Sequence, residues 1–94
     1  MSEVTVVARA KFRPGTEAEA ERALRANAEH SRSEDGCVSY SVLRGDDGVF
    51  MTVERYRTRG AFDSHMATSH VQQLFAAITP LVDGAPEITV LREV

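Results

Sequence analysis

The residue best placed for proton chemistry in this sequence is His65. It follows Phe62 by about one turn on the apolar face of a predicted helix, so its ring is expected to point inward. An imidazole exchanges a proton near neutral pH and is the side chain most often used as a general base. The other interpretation is a half-buried histidine that hydrogen-bonds Glu54 or a backbone group.

A second histidine, His70, lies five residues further along the chain. On one straight helix this separation is about 500°, which leaves the two rings about 140° apart. A break at Thr68-Ser69, with Ser69 capping the next helix, would turn His70 inward; otherwise it is a polar residue in a first helical turn. A two-histidine metal site needs i,i+4 spacing or a further carboxylate close by. We therefore expect no metal.

Glu54 is a carboxylate on a predicted strand that is otherwise rich in apolar residues. It shares one face of that strand with Phe50, Thr52 and Tyr56. A buried carboxylate needs a partner, and either His65 or an arginine would serve. Such a pair would orient the imidazole and tune its basicity, whereas the alternative is a structural ion pair at the strand end.

Two tyrosines and several large apolar residues are the remaining candidates. Tyr56 and Tyr40 each carry a hydroxyl that could hold a substrate oxygen, although aromatic residues in central strands also serve as core. The sequence does not separate core from pocket wall for the large apolar side chains. The predicted substrate contacts are Tyr40, Phe50, Phe62, Met66 and Phe75.

The elements that carry these residues can be predicted from periodicity. Residues 4–12 alternate as a strand. Thr16 and Glu19 form a capping box for a helix that begins at about Glu17. Asp35-Gly36 is expected to end this helix, with the glycine in a left-handed conformation.

The second half of the chain starts with a predicted hairpin. Residues 37–43 and 49–56 are rich in β-branched and aromatic side chains and flank a loop that contains an Asp-Gly pair. Thr58 is expected to cap the following helix. A second helical pattern over residues 71–82 contains Pro80, which predicts a kink or a helix end close by.

The order of elements is βαββαβ, closed by a strand at residues 86–91 whose initial proline suits a sheet edge. This order predicts a single α+β domain over residues 1–94, a ferredoxin-like sandwich with a four-stranded antiparallel sheet and its helices on one face. The other face of the sheet is also partly apolar in the sequence. We expect two such sheets to pack face to face in a homodimer.

Composition excludes several classes of partner. The 11 Lys plus Arg and 14 Asp plus Glu give a net charge of −3 without a basic block, so nucleic acid is not expected. No apolar run approaches the roughly 20 residues of a membrane span, and the first residues lack a signal-peptide core, so a cytoplasmic protein is expected. The single cysteine, Cys37, excludes an internal disulfide, and no nucleotide-binding glycine motif is present.

The ordered set of motifs resembles the antibiotic biosynthesis monooxygenase family and its quinol monooxygenase relatives. The motifs are Asp35-Gly36-Cys37-x-x-Tyr40, Glu54-x-Tyr56, Phe62-x-x-His65 and Ser69-His70. The resemblance covers nearly the whole chain. It implies a dimeric α+β barrel in which each protomer keeps a pocket between its own sheet and helices.

The resemblance also implies an activity: oxygenation of a quinol, anthrone or related phenol by O₂ without flavin, haem or metal. In that hypothesis His65 is the general base, Glu54 orients it, and Tyr56 or His70 holds the substrate oxyanion. Haem is not expected, because Phe75 stands where haem-degrading relatives place a ligating histidine. The alternatives are a non-catalytic small-molecule-binding or stress-related protein of the same fold, and an isomerase of a small oxygenated metabolite.

Overall fold

A computed structural model describes residues 2–94 and has the predicted order of elements, with the second helical region divided in two. The α+β fold class is therefore confirmed. The strands and helices are β1 (Val4–Lys11), α1 (Glu17–Arg32), β2 (Cys37–Arg44), β3 (Val49–Tyr56), α2 (Arg59–Met66), α3 (Ser69–Ile78) and β4 (Glu87–Arg92).

The four strands form one antiparallel sheet in the order β2-β3-β1-β4. In its register Glu54 of β3 lies opposite Val6 of β1 on one side and Tyr40 of β2 on the other. Since side chains alternate between the faces of a sheet, all three point toward the helices. The last strand is an edge strand, as the proline before it indicated.

The hairpin between β2 and β3 forms where it was predicted. Asp47 and Gly48 both have positive φ angles, of 58° and 78°. A Cβ atom at Gly48 would also come within 2.5 Å of the carbonyl oxygen of Phe12. Only glycine meets both requirements at this position.

Both predicted caps of α1 are wrong. The Thr16 side chain caps no helical N–H; its hydroxyl instead donates to the carbonyl of Arg13. At the other end α1 stops at Arg32, and Gly36 does not adopt a positive φ. Gly36 is needed for a different reason, because an added Cβ would overlap the Cβ of Ala61 in α2. The absent side chain lets the start of β2 lie against α2.

The break between α2 and α3 is present, but its cap is Thr68 and not Ser69. The Thr68 hydroxyl accepts a hydrogen bond from the Val71 amide, and its extended backbone separates the two helices. The predicted cap of α2 is confirmed, since Thr58 accepts from the Ala61 amide. Also as predicted, the last helix ends before Pro80, at Ile78.

The space between sheet and helices has two apolar regions. We call the first the apolar end; its buried residues are Phe12, Ala20, Leu24, Phe50, Ile78 and Leu81. The second, the tyrosine end, contains Val4, Val6, Tyr56 and Phe62. Along β3 the inward side chains run from Phe50 to Tyr56 through Thr52 and Glu54, so buried polar groups separate the two regions. No helix within residues 2–94 is both long and apolar enough to span a bilayer.

Candidate active site

A cavity of about 70 Å³ lies between the sheet and the helices. Ile88 of the edge strand is on its wall and is 46% exposed, so the cavity reaches the surface at β4. Most of its wall is apolar, and polar atoms are supplied by Asn27, Thr52, Glu54 and His65 among others. The wall includes every predicted substrate contact, namely Tyr40, Phe50, Phe62, Met66 and Phe75.

His65 is positioned by the buried face of α2, and its side chain is only 4% exposed. The ring lies on the cavity wall between two carboxylates. Its Nδ1 is 2.8 Å from Oε2 of Glu34, and its Nε2 is 3.7 Å from Oε1 of Glu54. The predicted proximity of Glu54 and His65 is present, but the short hydrogen bond of the imidazole is to Glu34.

Glu54 is held by two neighbours on its own strand face. The Thr52 hydroxyl donates to Oε2 and the Tyr56 hydroxyl donates to Oε1, each at 2.6 Å. Burial, together with the hydrogen bond to Glu54 and its charge, raises the pKa of Tyr56 far above the usual range for tyrosine. Tyr56 therefore stays a hydrogen-bond donor at neutral pH and fixes the carboxylate beside His65.

Glu34 is a functional candidate that the sequence did not reveal. It follows the end of α1, and its Oε2 contacts both His65 Nδ1 and His70 Nε2. The available signal was its position just before Gly36, whose close approach to α2 brings this loop to the histidines. The carboxylate that a two-histidine metal site needs therefore does lie close to His65 and His70, which the spacing of the histidines alone did not indicate.

The helix break turns His70 toward His65, with 5.9 Å between the ring centroids. Its Nε2 lies 2.6 Å from Oε2 of Glu34, and its ring stacks on the exposed His30 at 5.4 Å. Among the described residues that line the cavity, neither His70 nor Tyr56 is found. The hydrogen bond of His70 is to Glu34 and that of Tyr56 is to Glu54, so the polar atoms of both residues are linked to His65 through a carboxylate. The Tyr56 ring also packs on the His65 ring, with 5.1 Å between the centroids.

The comparisons with known proteins agree with one another. The sequence pattern of the family described as "Antibiotic biosynthesis monooxygenase" matches residues 3–77. This chain belongs to that family.

Similar proteins of this family come from several bacteria. "Putative monooxygenase Rv0793" of Mycobacterium tuberculosis is 35% identical over 91 residues, which is 96% of this chain and 90% of that protein. The structure of Rv0793 has a TM-score of 0.93 with this chain, at 34% identity, and the match covers 99% of this chain and 96% of Rv0793. The structure of a "putative antibiotic biosynthesis monooxygenase" from Caulobacter crescentus has the same TM-score at 31% identity, covering 99% and 91% of the two chains. The family resemblance of the sequence is thus confirmed.

Within this antibiotic biosynthesis monooxygenase fold, the cavity wall also includes Asn27, a polar residue that was not among the predicted site residues. The side-chain amide of Asn27 donates to the Tyr40 hydroxyl at 3.0 Å. Its other atom, Oδ1, is buried without a hydrogen-bond partner among the described residues. Because Asn27 lines the cavity, this oxygen is a free acceptor beside the site. Burial and the charge of Glu54 raise the pKa of Tyr40, so its hydroxyl stays protonated.

Proposed function

We propose that this protein oxygenates a small electron-rich ring of the quinol, anthrone or phenol type with O₂, and that His65 is its general base. The carrying observation is the buried His65 ring on the wall of a mainly apolar cavity, with a carboxylate at each of its nitrogens. Membership in the antibiotic biosynthesis monooxygenase family supports the reaction class. The substrate class is inferred from the electron balance of the reaction and from the polar groups of the cavity.

The hydrogen bond to Glu34 gives His65 the tautomer that a base requires. With the proton on Nδ1 shared with Glu34, the lone pair is on Nε2, the nitrogen nearer to Glu54, which also lines the cavity. When Nε2 accepts a proton, the imidazolium lies between the carboxylates of Glu34 and Glu54. A base acts only within hydrogen-bond reach of its proton, and a wall position allows that for a bound substrate.

The reaction balances without a further reductant, because the substrate supplies the electrons. For a substrate with a reactive methylene, base removes one proton, and the resulting anion combines with O₂ to form a carbon–oxygen bond and a hydroperoxide. Loss of water breaks the O–O bond and leaves a carbonyl, so that R₂CH₂ + O₂ gives R₂C=O + H₂O. An apolar cavity favours this sequence since it keeps bulk water from the anion and the peroxide.

Asn27 supplies a reason why a hydroxylated ring would fit. Its unpartnered Oδ1 is a buried acceptor, and a phenolic O–H of the substrate would satisfy it. The hydrophobic contacts of the ring would come from Phe50, Phe62 and Phe75. In this proposal Tyr56 acts through Glu54 and His70 acts through Glu34, as positioning residues and not as direct contacts of the substrate.

The test is oxygen uptake with a panel of quinols and anthrones, comparing wild type with His65→Ala and His65→Gln. We expect each variant to lose about 10²–10⁴-fold in turnover, the usual contribution of a general base. His30→Ala is the matched control because it removes an exposed imidazole near the site. Unchanged oxygen uptake in both His65 variants would remove the base from the mechanism. Product formation under nitrogen would instead indicate an isomerase.

We also propose that the protein is a homodimer joined through the helix-free face of its sheet. The register places Leu43 and Leu91 on that face, and they are 51% and 47% exposed. The chain exposes 5854 Å², compared with about 5,350 Å² expected for a monomer of this mass. Light scattering should therefore give twice the mass of the 10.3 kDa chain. Leu43→Glu combined with Leu91→Glu should give the monomer, and a wild-type monomer would contradict the proposal.

A further inference from the structure

Three side chains from separate segments meet behind the cavity wall: Glu34 after α1, His65 in α2 and His70 in α3. We propose that they form a binding site for a divalent transition-metal ion of the Zn²⁺ class. The donor atoms Oε2, Nδ1 and Nε2 all lie within 4.8 Å of one another. One carboxylate oxygen with two imidazole nitrogens is a donor set that proteins use for Zn²⁺ and related ions.

The distances require little rearrangement to accept an ion. Oε2 of Glu34 lies 2.8 Å from His65 Nδ1 and 2.6 Å from His70 Nε2. Ligand atoms of one tetrahedral zinc ion lie about 3.4 Å apart, as follows from metal–ligand bonds of about 2.1 Å. The carboxylate therefore needs to move by less than about 1 Å, and the two imidazole nitrogens, which lie within 4.8 Å of each other, need to approach by at most about 1.4 Å.

The burial of the three donors also suits a metal site. The His65 side chain is 4% exposed, whereas those of His70 and Glu34 are 16% and 17% exposed. The site is therefore largely desolvated but open on the His70 side, where an ion can enter and a water molecule can complete the coordination. Removal from bulk water strengthens the attraction between the cation and Glu34.

Glu54 provides the outer partner that a metal-ligating histidine needs. A histidine that binds a metal through one nitrogen usually donates its other N–H to a carboxylate, which fixes the ring orientation. Nε2 of His65 lies 3.7 Å from Oε1 of Glu54, so a shift of about 0.7 Å would form this hydrogen bond, and Glu54 is itself fixed by Thr52 and Tyr56. The same ring thus has a ligand position at Nδ1 and an outer carboxylate at Nε2.

Metal binding and base catalysis would exclude each other at His65. A metal at Nδ1 leaves the ring proton on Nε2, so that nitrogen can no longer accept a proton from a substrate. This consequence, unlike the metal site itself, rests on the proposed function. We therefore expect Zn²⁺ to inhibit oxygen uptake in proportion to its occupancy, and a chelator to reverse the inhibition.

The binding test is titration of the metal-free full chain with Co²⁺, followed through the visible d–d absorption of the ion, and then displacement by Zn²⁺. We expect one ion per chain. His70→Ala and Glu34→Gln change partly exposed side chains, and each should weaken Co²⁺ binding by more than about 100-fold, since loss of an outer partner alone costs about 10–100-fold. Circular dichroism should show that both variants remain folded. His30→Ala, the control, should leave the affinity unchanged.

The outcomes separate the two proposals. Absence of saturable Co²⁺ binding, or binding that His30→Ala weakens and His70→Ala does not, would overturn the metal site without touching the oxygenation hypothesis. Saturable binding that depends on Glu34 and His70 establishes the site. If Zn²⁺ then leaves oxygen uptake unchanged, the metal site stands and His65 is not the base.

Discussion

Strand β3 contributes to two regions of different character. Phe50 belongs to the apolar end of the core, and Glu54, four residues later, belongs to the polar groups around His65. At the apolar end, the inward Phe50 of β3 packs against Phe12 and side chains of α1 and α3. Two steps further along the same face, Glu54 is surrounded by hydroxyls and an imidazole. Hydrocarbon packing needs no specific orientation of dipoles, whereas a buried carboxylate needs every partner in place. Phe50 therefore stabilises the fold mainly by packing, whereas Glu54 depends on its hydrogen-bond partners, although Phe50 also lines the cavity.

The largest stability effect is expected at the apolar end. Leu81 belongs to that cluster and is not on the cavity wall among the described residues. Leu81→Ala should lower the free energy of unfolding by about 2–5 kcal/mol through lost transfer energy and a cavity. Urea denaturation measures this loss. Turnover per folded molecule should stay at the wild-type level.

The matched change near His65 is Thr52→Val, which keeps the shape of the side chain and removes the donor to Glu54. We expect it to lower the free energy of unfolding by about 1.5–3 kcal/mol, as for a hydrogen bond to a charged group. Oxygen uptake should fall as well, because the Glu54 carboxylate is then held by Tyr56 alone. If Leu81→Ala lowers turnover per folded molecule more than Thr52→Val does, the expected difference between the two regions is wrong.

The same contrast explains what could be predicted from the sequence. The strands and the inward face of β3 follow from alternation, and the hairpin follows from its Asp-Gly pair, because these are local signals. The cluster of Glu34, His65 and His70 was not predictable, because Glu34 is 31 residues from His65 and 36 residues from His70 in the chain. Their meeting depends on tertiary contact at Gly36, where the local pattern indicated only a helix cap. Thr68 and Ser69 could both cap a helix by type, and backbone geometry decides between them.

Gly36 tests whether the contact between the two segments positions Glu34. In Gly36→Ala the new Cβ overlaps Ala61, and overpacking of this kind costs about 1–3 kcal/mol of unfolding free energy. The displaced loop should also weaken Co²⁺ binding. The swap Gly36→Ala with Ala61→Gly should restore Co²⁺ binding and all of the stability except the roughly 1 kcal/mol that a glycine within α2 costs.

Gly60→Ala serves as the control for that pair. Its nearest new neighbour would be the Thr58 hydroxyl at 3.7 Å, an ordinary contact. Alanine in α2 should leave the protein as stable or increase its stability by up to about 1 kcal/mol. If Gly36→Ala behaves like Gly60→Ala in urea denaturation, close packing does not explain the glycine at position 36.

The dependence of the unfolding free energy on alkaline pH distinguishes the two regions, because Tyr56 lies beside Glu54 and Leu81 lies in the apolar end. The pKa of Tyr56 is raised in the folded protein, so above about pH 10 the unfolded chain loses the phenolic proton while the folded chain keeps it. The folded state then binds more protons, and the free energy of unfolding falls as pH rises, by about 1.4 kcal/mol per unit for one such tyrosine. Tyr40, whose pKa burial also raises, contributes a slope of the same sign. Tyr56→Phe should therefore reduce the total slope by about half, measured by urea denaturation between neutral and alkaline pH. Leu81→Ala should lower the unfolding free energy equally at every pH, without changing the slope. Parallel curves of unfolding free energy against pH for wild type and Tyr56→Phe would contradict a raised pKa at Tyr56.

The smallest loss of stability is expected at the two threonine caps. These caps also distinguish a loss of unfolding free energy from a change in the position of His70. Thr58 and Thr68 each accept a hydrogen bond from an amide in the first turn of their helix, so Thr58→Ala and Thr68→Ala should each lower thermal stability by about 1 kcal/mol. Only Thr68 lies at the break that turns His70 toward Glu34, and its hydroxyl also donates to the carbonyl of His65 at 2.7 Å. Thr68→Ala should therefore weaken Co²⁺ binding while Thr58→Ala leaves it unchanged. Equal Co²⁺ affinity in the two variants would mean that packing of α3 against α1, and not the cap, places His70.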